Sequence, residues 1–530
     1  MASPPPKIRW AIFIALALLA LAVRLPQLGE RPMHTDESIN AYIIGQLLAG
    51  QAFHYDPQDR HGPALAAVTL PLVKLEGAKN FAGLTESQLR LSPVLAGTAT
   101  VLLLGAGVEM FGFVACFVAA LLFAFAPLPV YYNRYFIHES LFVAATLGLI
   151  LSGWRTARDQ SVLYAALAGF CGALMLACKE TAPLHFLALA IAAFGVRRHD
   201  CAFPPGDMSP SSKAGTCHRS PKKTFGFPAW KIILTGFLVF LFTTVLLFTW
   251  FGQNWRVFVD LFRAVPHLAA RAGGEGHEKP FWYYAKLLCD GWSGGFILAL
   301  TGLGIFLILF KRRGRSSGEP GFLPIDGGGQ PQPSLHFFSV IYGIGIFIIY
   351  SLIPYKTPWL ALNFWLMIAL LAGMAVEWTW FATGKFSWRT VILAGLIGLG
   401  FLMAHDTRKR VFVEPADENN PYAYAHTVED LLGLPERIAA LSQQENLAQP
   451  RIAVVAADAW PLPWYLRKYS QVGFWQPGQE TGAADFYITS LEAAGIMGDR
   501  LTNNFNAEYF GLRPEVLIIL WTPATIKKPL

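Results

Sequence analysis

Runs of about 18 to 21 apolar residues recur from Ile8 to about residue 405, and few folds accommodate that pattern. Wound as a helix, a run of this length matches the hydrocarbon thickness of a bilayer. In lipid every backbone N–H and C=O must be paired within the protein, so such spans are helices. Eleven are predicted, over residues 8–28, 90–108, 112–131, 140–154, 161–178, 183–196, 232–252, 291–310, 336–353, 359–378 and 390–405. Composition agrees, since 54% of the 530 residues are apolar and only 15% are charged. A soluble domain carries about 25% charge. No small-residue cleavage site follows the first run, Ile8 to Val23, which therefore reads as a retained anchor.

The net charge of +7 has its cause in the positive-inside rule rather than in an acidic partner. With the N-terminus inside, the cytoplasmic segments carry Lys7 and Arg9, Arg155 and Arg158, seven Lys and Arg over 197–231, the cluster Lys311 to Arg315, and Lys385 and Arg389. Arg408, Lys409 and Arg410 run against this rule, but they precede a folded tail, where charge counts less. No basic helix or aromatic platform suits nucleic acid. The six cysteines lack CxxC spacing, which argues against a disulfide framework or structural zinc.

The predicted fold is an α-helical polytopic membrane domain over 1–405, followed by a small extracytoplasmic α/β domain over 406–530. The first outer loop is 29–89. Two cytoplasmic loops, 197–231 and 311–335, hold Pro-, Gly- and Ser-rich linkers at 199–223 and 314–334. In the tail, residues 451–457, 484–490 and 515–521 read as strands, and 460–469 as a helix opening on prolines. Residues 426–444 read as an amphipathic helix capped by Thr427.

In this topology the unusual polar residues gather outside, in HTDE (34–37), HYDPQDRHGP (54–63), YYNRYFIHES (131–140), CKETAP (178–183) and IPYKTPW (353–359). Charge beside lipid is costly and marks function by default. Taken singly, each segment also has a plainer reading. Thr35 would cap a helix whose positive end Asp36 and Glu37 complement. Ile39, Tyr42, Ile43 and Leu47 would form the apolar face of an interfacial helix. Neighbouring helical residues point different ways, so only one of the two carboxylates can aim into a given pocket. Arg134 would snorkel, Lys179 and Glu180 would pair with each other, and Lys356 would anchor at the interface beside Tyr355. His34, His54, Asp56, Asp59 and His61 are metal-compatible residues that no ligand spacing orders.

These segments carry a family resemblance. With HTDE, RHGP (60–63), NRYFIHE (133–139), KET (179–181), YKTPW (355–359), ENNPYAYAHT (418–427) and WPLPWYLR (460–467) in order, the chain resembles the GT-C membrane glycosyltransferases. These include the dolichyl-phosphate-mannose protein mannosyltransferases and the lipid A aminoarabinose transferases. It looks most like a prokaryotic branch described as flippase-activity-associated in archaeal-type N-glycosylation. The likeness runs over nearly the whole chain. It implies a polyprenyl-phosphate-linked sugar donor, a lipid tail lying between helices, and an outer cavity where an acidic residue of the first outer loop acts on the acceptor. Asp36 and Glu37 match that position.

The chemistry implied is displacement of phosphate from an anomeric carbon with inversion, which needs a carboxylate base and cations for the leaving phosphate. Asp36, nearest the span end, is the expected base, with Glu37 in reserve. Lys356 and Arg134 are the expected phosphate partners, with Lys179 and Arg60 behind them. His34, His61, His138, Glu139, Glu180 and Tyr355 would orient substrate. No cofactor is required by the sequence, and a divalent metal is left open, with His34, Asp56 and His61 as candidates. The expected partners are the lipid-linked donor, a glycan, lipid or protein acceptor, and membrane lipids, without nucleic acid. The expected location is the inner membrane, and the tail domain would help gather the acceptor. The competing function is a flippase-associated component without transferase activity. Against it stand nearly charge-free spans, no P-loop and no visible inverted repeat.

Overall fold

The computed structural model describes residues 4–56, 61–202, 229–261, 276–310, 333–382 and 386–524, together with Arg263, Pro266 and Gly273. Among them are eight helices long and apolar enough to cross a membrane. They are α1 (Pro6–Arg24), α4 (Glu86–Ala106), α7 (Glu139–Asp159), α10 (Ala229–Phe248), α11 (Gly291–Phe310), α12 (Pro333–Leu352), α13 (Leu362–Ala382) and α14 (Phe386–Thr407). The three other predicted spans fall on shorter apolar stretches: α5 (Phe113–Phe125), α8 (Val162–Cys178) and Ala182–Val196 of α9 (Ala182–Ala202).

The span predicted over 112–131 is broken, because Ala126 is extended ahead of Pro127 and a separate short helix follows, α6 (Pro127–Tyr132). The first outer loop also has structure of its own. It holds α2 (Thr35–Leu48) and α3 (Ala64–Leu75). On α2 the predicted apolar face is only partly the buried one, since Ile43 and Leu47 are buried while Tyr42 is exposed. Tyr42 instead meets the rings of Phe81 and Trp460.

The centre of the molecule is α13, buried from Leu362 to Val376 and packed against α5, α11 and α12. Helices come close where a residue lacks a side chain. A Cβ on Gly373 would strike the Ala115 carbonyl, and one on Gly304 would strike that of Leu371. Small residues at such contacts let van der Waals packing hold helices together where lipid supplies no hydrophobic force. At one membrane-facing end, α7 packs on α8 and α8 on α10.

Beyond Thr407 the helix widens into a π-type turn, Arg408–Val413, before the chain turns non-helical. The tail then forms a five-stranded sheet in the order β2-β1-β3-β5-β4, from β1 (Ile452–Val455), β2 (Val472–Trp475), β3 (Phe486–Ser490), β4 (Phe505–Arg513) and β5 (Val516–Pro523). β1 is parallel to β2 and β3, while β5 runs antiparallel to β3 and β4. The three predicted strands are β1, β3 and β5. β2 and β4, the edge strands, fall outside the expected set: β2 is only the four residues VGFW, and β4 mixes polar with apolar residues. The helix predicted over 426–444 is shorter, α15 (Gly433–Gln444) after a 3₁₀ turn at Glu429–Leu432. Thr427 does not cap it, because its hydroxyl donates to the Met33 carbonyl at 2.6 Å. The helix predicted over 460–469 is the short α16 (Leu462–Tyr465), which docks the sheet onto α2.

Candidate active site

The start of α2 is built by reciprocal capping. His34, not Thr35, is the N-cap: its Nδ1 accepts the Asp36 N–H at 3.1 Å, and the Glu37 carboxylate accepts the His34 N–H at 3.1 Å. Because Nδ1 accepts, the proton must sit on Nε2, which donates to the Tyr424 carbonyl at 3.0 Å. The ring lies between Tyr135 and Trp359, with centroids 5.6 and 5.4 Å away.

The two adjacent acids are in opposite situations. Glu37 is fully buried. It takes Arg90 Nε and Nη2 at 2.8 Å each, Arg31 Nη2 at 3.0 Å and the Phe136 N–H at 2.8 Å, besides His34. Burial by itself would raise this carboxyl, but Arg90 and Arg31, with the donors from Arg90 and Phe136, hold it well below the usual range. Asp36 is half-buried, and among the described residues its carboxylate has no hydrogen-bond or ion-pair partner.

Segment 133–138, between α6 and α7, ties this corner to α1. Arg134 is buried and donates to the carbonyls of Arg24, Pro26 and Gln27, at 2.6, 2.5 and 3.0 Å. It therefore does not snorkel; it satisfies the free carbonyls at the end of α1. Arg24 spends its own donors on the Phe123 and Ala124 carbonyls, the Ala20 carbonyl and Asn133.

A second polar group lies where α7 begins and α8 ends. Lys179 pairs with Glu139, both buried, and Glu180 pairs with His61 at 2.9 Å and takes Tyr55 OH at 3.3 Å. Lys179 and Glu180 thus take separate partners rather than each other. Gly62 brings His61 there by lying against the Ala177 carbonyl, where a Cβ would not fit. His138 faces the His61 ring at 5.0 Å. Burial, then His61 and Lys179, push the His138 imidazole well below its usual range. Burial acts to raise the Glu180 carboxyl, and His61 brings it below its usual value. A small cleft between α2 and α3 ends on Asn40, His61 and His138, and Asn40 Nδ2 donates to the Phe136 carbonyl at 3.1 Å.

A third strip completes the corner. Glu278 bridges Tyr355 across two extended segments. Lys356 is buried and donates to the carbonyls of Lys279 and Ile353 at 3.0 and 2.5 Å, leaving one of its three donors. The Tyr424 ring meets Trp359 edge-on, its hydroxyl lies 2.7 Å from His277 Nδ1, and the Lys279 ammonium lies 5.2 Å from its centroid.

Of the residues expected from the sequence, His34, Tyr355 and Lys356 gather around Trp359, Tyr424 and His277, and Asp36 joins them through its backbone N–H on His34. His61, His138, Glu139, Lys179 and Glu180 share the neighbouring corner. Glu37 and Arg134 lie behind, holding the backbone. Arg60 and Asp59 lie outside the described residues, and Asp56 stands half-buried beside them. Of the metal candidates, His34 engages both ring nitrogens and His61 engages Glu180, in different corners. No three His, Cys, Asp or Glu side chains converge among the described residues. The sequence reading missed Arg31, Arg90, His277, Lys279 and Tyr424. Arg90 sat at the start of a span and looked like a flank. His277 and Lys279 lie in a loop that shows no motif, and only ENNPYAYAHT flagged Tyr424.

Comparison with known proteins bears on the fold. Residues 75–202 match the dolichyl-phosphate-mannose-protein mannosyltransferase family. No curated protein sequence matches the chain. In fold it is similar to ArnT from Cupriavidus metallidurans, solved bound to undecaprenyl phosphate, with a TM-score of 0.62 at 16% identity over 98% of this chain and 99% of that one. It is also similar to the archaeal oligosaccharyltransferase AglB from Archaeoglobus fulgidus, solved with an inhibitory peptide and a dolichol-phosphate (TM-score 0.51, 13% identity, 98% and 75% covered). The arabinofuranosyltransferase AftD from Mycobacteria matches with a TM-score of 0.50 at 12% identity, over 99% of this chain and 40% of its own. Over nearly its whole length the chain thus shares the fold of ArnT, and residues 75–202 match the dolichyl-phosphate-mannose-protein mannosyltransferase family.

Proposed function

We propose that the chain transfers a sugar from a polyprenyl-phosphate donor to an acceptor at the extracytoplasmic face, with inversion. The observation that carries this is the contrast between Asp36 and Glu37. Glu37 has its oxygens occupied by five donors and its carboxyl held low, so it is a poor proton acceptor and a good anchor. Asp36, one residue earlier, is partly open and free of partners among the described residues. It is the base of this reading. Its carboxylate takes the acceptor hydroxyl proton as that oxygen bonds the anomeric carbon, and the bond from that carbon to the phosphate oxygen breaks. The leaving phosphate carries the charge, and in this reading the Lys356 ammonium, with its remaining donor, and Lys279 take it. Glu139, Lys179 and Glu180 form the paired frame of the adjacent cleft, where His61 and His138 orient substrate. The polyprenyl-phosphate ligands of ArnT and AglB support this donor class.

The test is transfer of radiolabelled sugar from a panel of polyprenyl-phosphate sugars by purified protein in liposomes. Wild type is compared with Asp36→Asn and Glu37→Gln. Turnover lost in Asp36→Asn with donor binding intact supports the reading. Turnover with no donor, alongside lipid-linked glycan crossing the bilayer, replaces it with the flippase function.

A further inference from the structure

The tail reaches into the corner at Met33 and His34, the two residues that precede α2. Met33 is fully buried, and both of its backbone groups bond to the tail: its N–H to Tyr465 OH at 2.9 Å, its carbonyl to Thr427 Oγ1 at 2.6 Å. His34, the next residue, donates Nε2–H to the Tyr424 carbonyl. Three hydrogen bonds from the tail thus fix the two residues that lead into α2, and the Asp36 N–H hangs on the other nitrogen of the same imidazole. The segment 420–427, which supplies two of them, is itself held. Tyr132 OH donates to the Tyr422 carbonyl at 2.9 Å, and Asn420 Nδ2 donates to the carbonyls of Arg410 and Glu414. Ala425 takes φ +46°, a left-handed conformation that costs a residue with a Cβ and persists only where its surroundings impose it. It lies between Tyr424 and Thr427, and aims both of their groups at Met33 and His34.

We propose that segment 420–427 is a positioning strap. Through Met33 and His34 it sets where the Asp36 carboxylate sits, so the tail domain acts on the transfer step rather than on acceptor capture. This rests on the reading of Asp36 as the base. His34 is here a positioning residue: the strap locks its Nε2–H tautomer, and that tautomer keeps Nδ1 free to hold the backbone of Asp36. Misplacement of a reacting group by about 1 Å costs about a hundredfold in rate, so losing these tethers falls mainly on kcat.

The experiment uses the full chain in liposomes, with kcat and KM measured for donor and acceptor separately. Four variants interrogate the strap. Tyr465→Phe with Thr427→Val removes both Met33 tethers. Ala425→Pro cannot hold a positive φ and turns the Tyr424 carbonyl away. Ala425→Gly keeps the left-handed backbone and is the conservative control. His34→Asn retains a side-chain acceptor for the Asp36 N–H but is too short for Tyr424. We expect kcat to fall about tenfold or more in the Tyr465/Thr427 double variant and in Ala425→Pro, with both KM values near wild type, near-complete kcat in Ala425→Gly, and an intermediate value in His34→Asn. Should Ala425→Pro fail to fold, the double variant decides, since it deletes one hydroxyl and swaps one for a methyl. Unchanged kcat with a raised acceptor KM would overturn the proposal and make the tail an acceptor-gathering domain. Unchanged kinetics would overturn it too. Asp36→Asn, run alongside, separates the two ideas: if it alone loses turnover the base stands and the strap falls, and if it retains turnover the base itself is wrong.

Discussion

At the scale of single residues, two neighbouring acids of the same charge are assigned unlike work by their partners. Glu37 accepts from two guanidinium groups and two backbone N–H groups in a site closed to water. Removing one member of a buried ion pair leaves the others unpaired, which costs about 3–5 kcal/mol. Glu37→Gln should therefore lower the thermal stability of the detergent-solubilised protein sharply, whereas Asp36→Asn should leave it near wild type while abolishing transfer. The pH dependence follows from the direction of the shift. The Glu37 carboxyl is held below its ordinary value of 4.5, so its contribution is complete above that pH and is lost as pH falls below it. A melting series from pH 7 downward should show a steep acid limb in wild type that is flattened in Glu37→Gln. An equally steep limb in the variant would assign acid sensitivity to other groups. The sequence pointed to the pair but not to its division of labour, because Arg90 is 53 positions from Glu37 and nothing local announces that they meet.

At the scale of elements, the apolar runs were legible because period and length report directly on lipid. The helices whose lengths departed from expectation did so at identifiable residues, such as Pro127 and Pro129 dividing the run at 112–131. Edge strands and the amphipathic helix of the first outer loop were harder, since their neighbours, not their own pattern, decide what is buried. Helix packing offers a test that owes nothing to catalysis. Gly169 of α8 lies against the Gly236 carbonyl of α10, with no room for a Cβ, while Gly153 of α7 has open space around it. Forcing a larger residue into a packed contact costs about 1–3 kcal/mol. Gly169→Val should lower the melting temperature in micelles by pushing α10 off α8, and Gly153→Ala should be neutral or slightly stabilising. Equal behaviour of the two would mean that α8 and α10 do not share this close contact.

At the scale of the whole molecule, the sheet domain and the first outer loop act as one body. Trp464 is fully buried and donates Nε1–H to Glu86 at 2.7 Å, Arg467 donates to the Leu84 carbonyl at 3.0 Å, and the Trp464 ring packs on Phe81. The site, the tail and the ends of α11 and α14 therefore face the same side, where Asp406 caps α11 through Ser293 and Asp290 meets Arg410 at 3.0 Å. The prediction of which side this is comes from charge: the loops predicted cytoplasmic carry the Lys and Arg clusters, so by the positive-inside rule the site is expected outside. The native cysteines test it. Cys289 is exposed beside Asp290, at the site's end of the molecule, whereas Cys116 and Cys178 are buried; Cys217 lies in the basic loop between α9 and α10. In variants keeping only Cys289 or only Cys217, a membrane-impermeant maleimide applied to intact spheroplasts should label the first at once and the second only after permeabilisation. The opposite pattern would turn the molecule over. Asp36 would then open to the cytoplasm, and a donor presented from the outer leaflet would have no route to it.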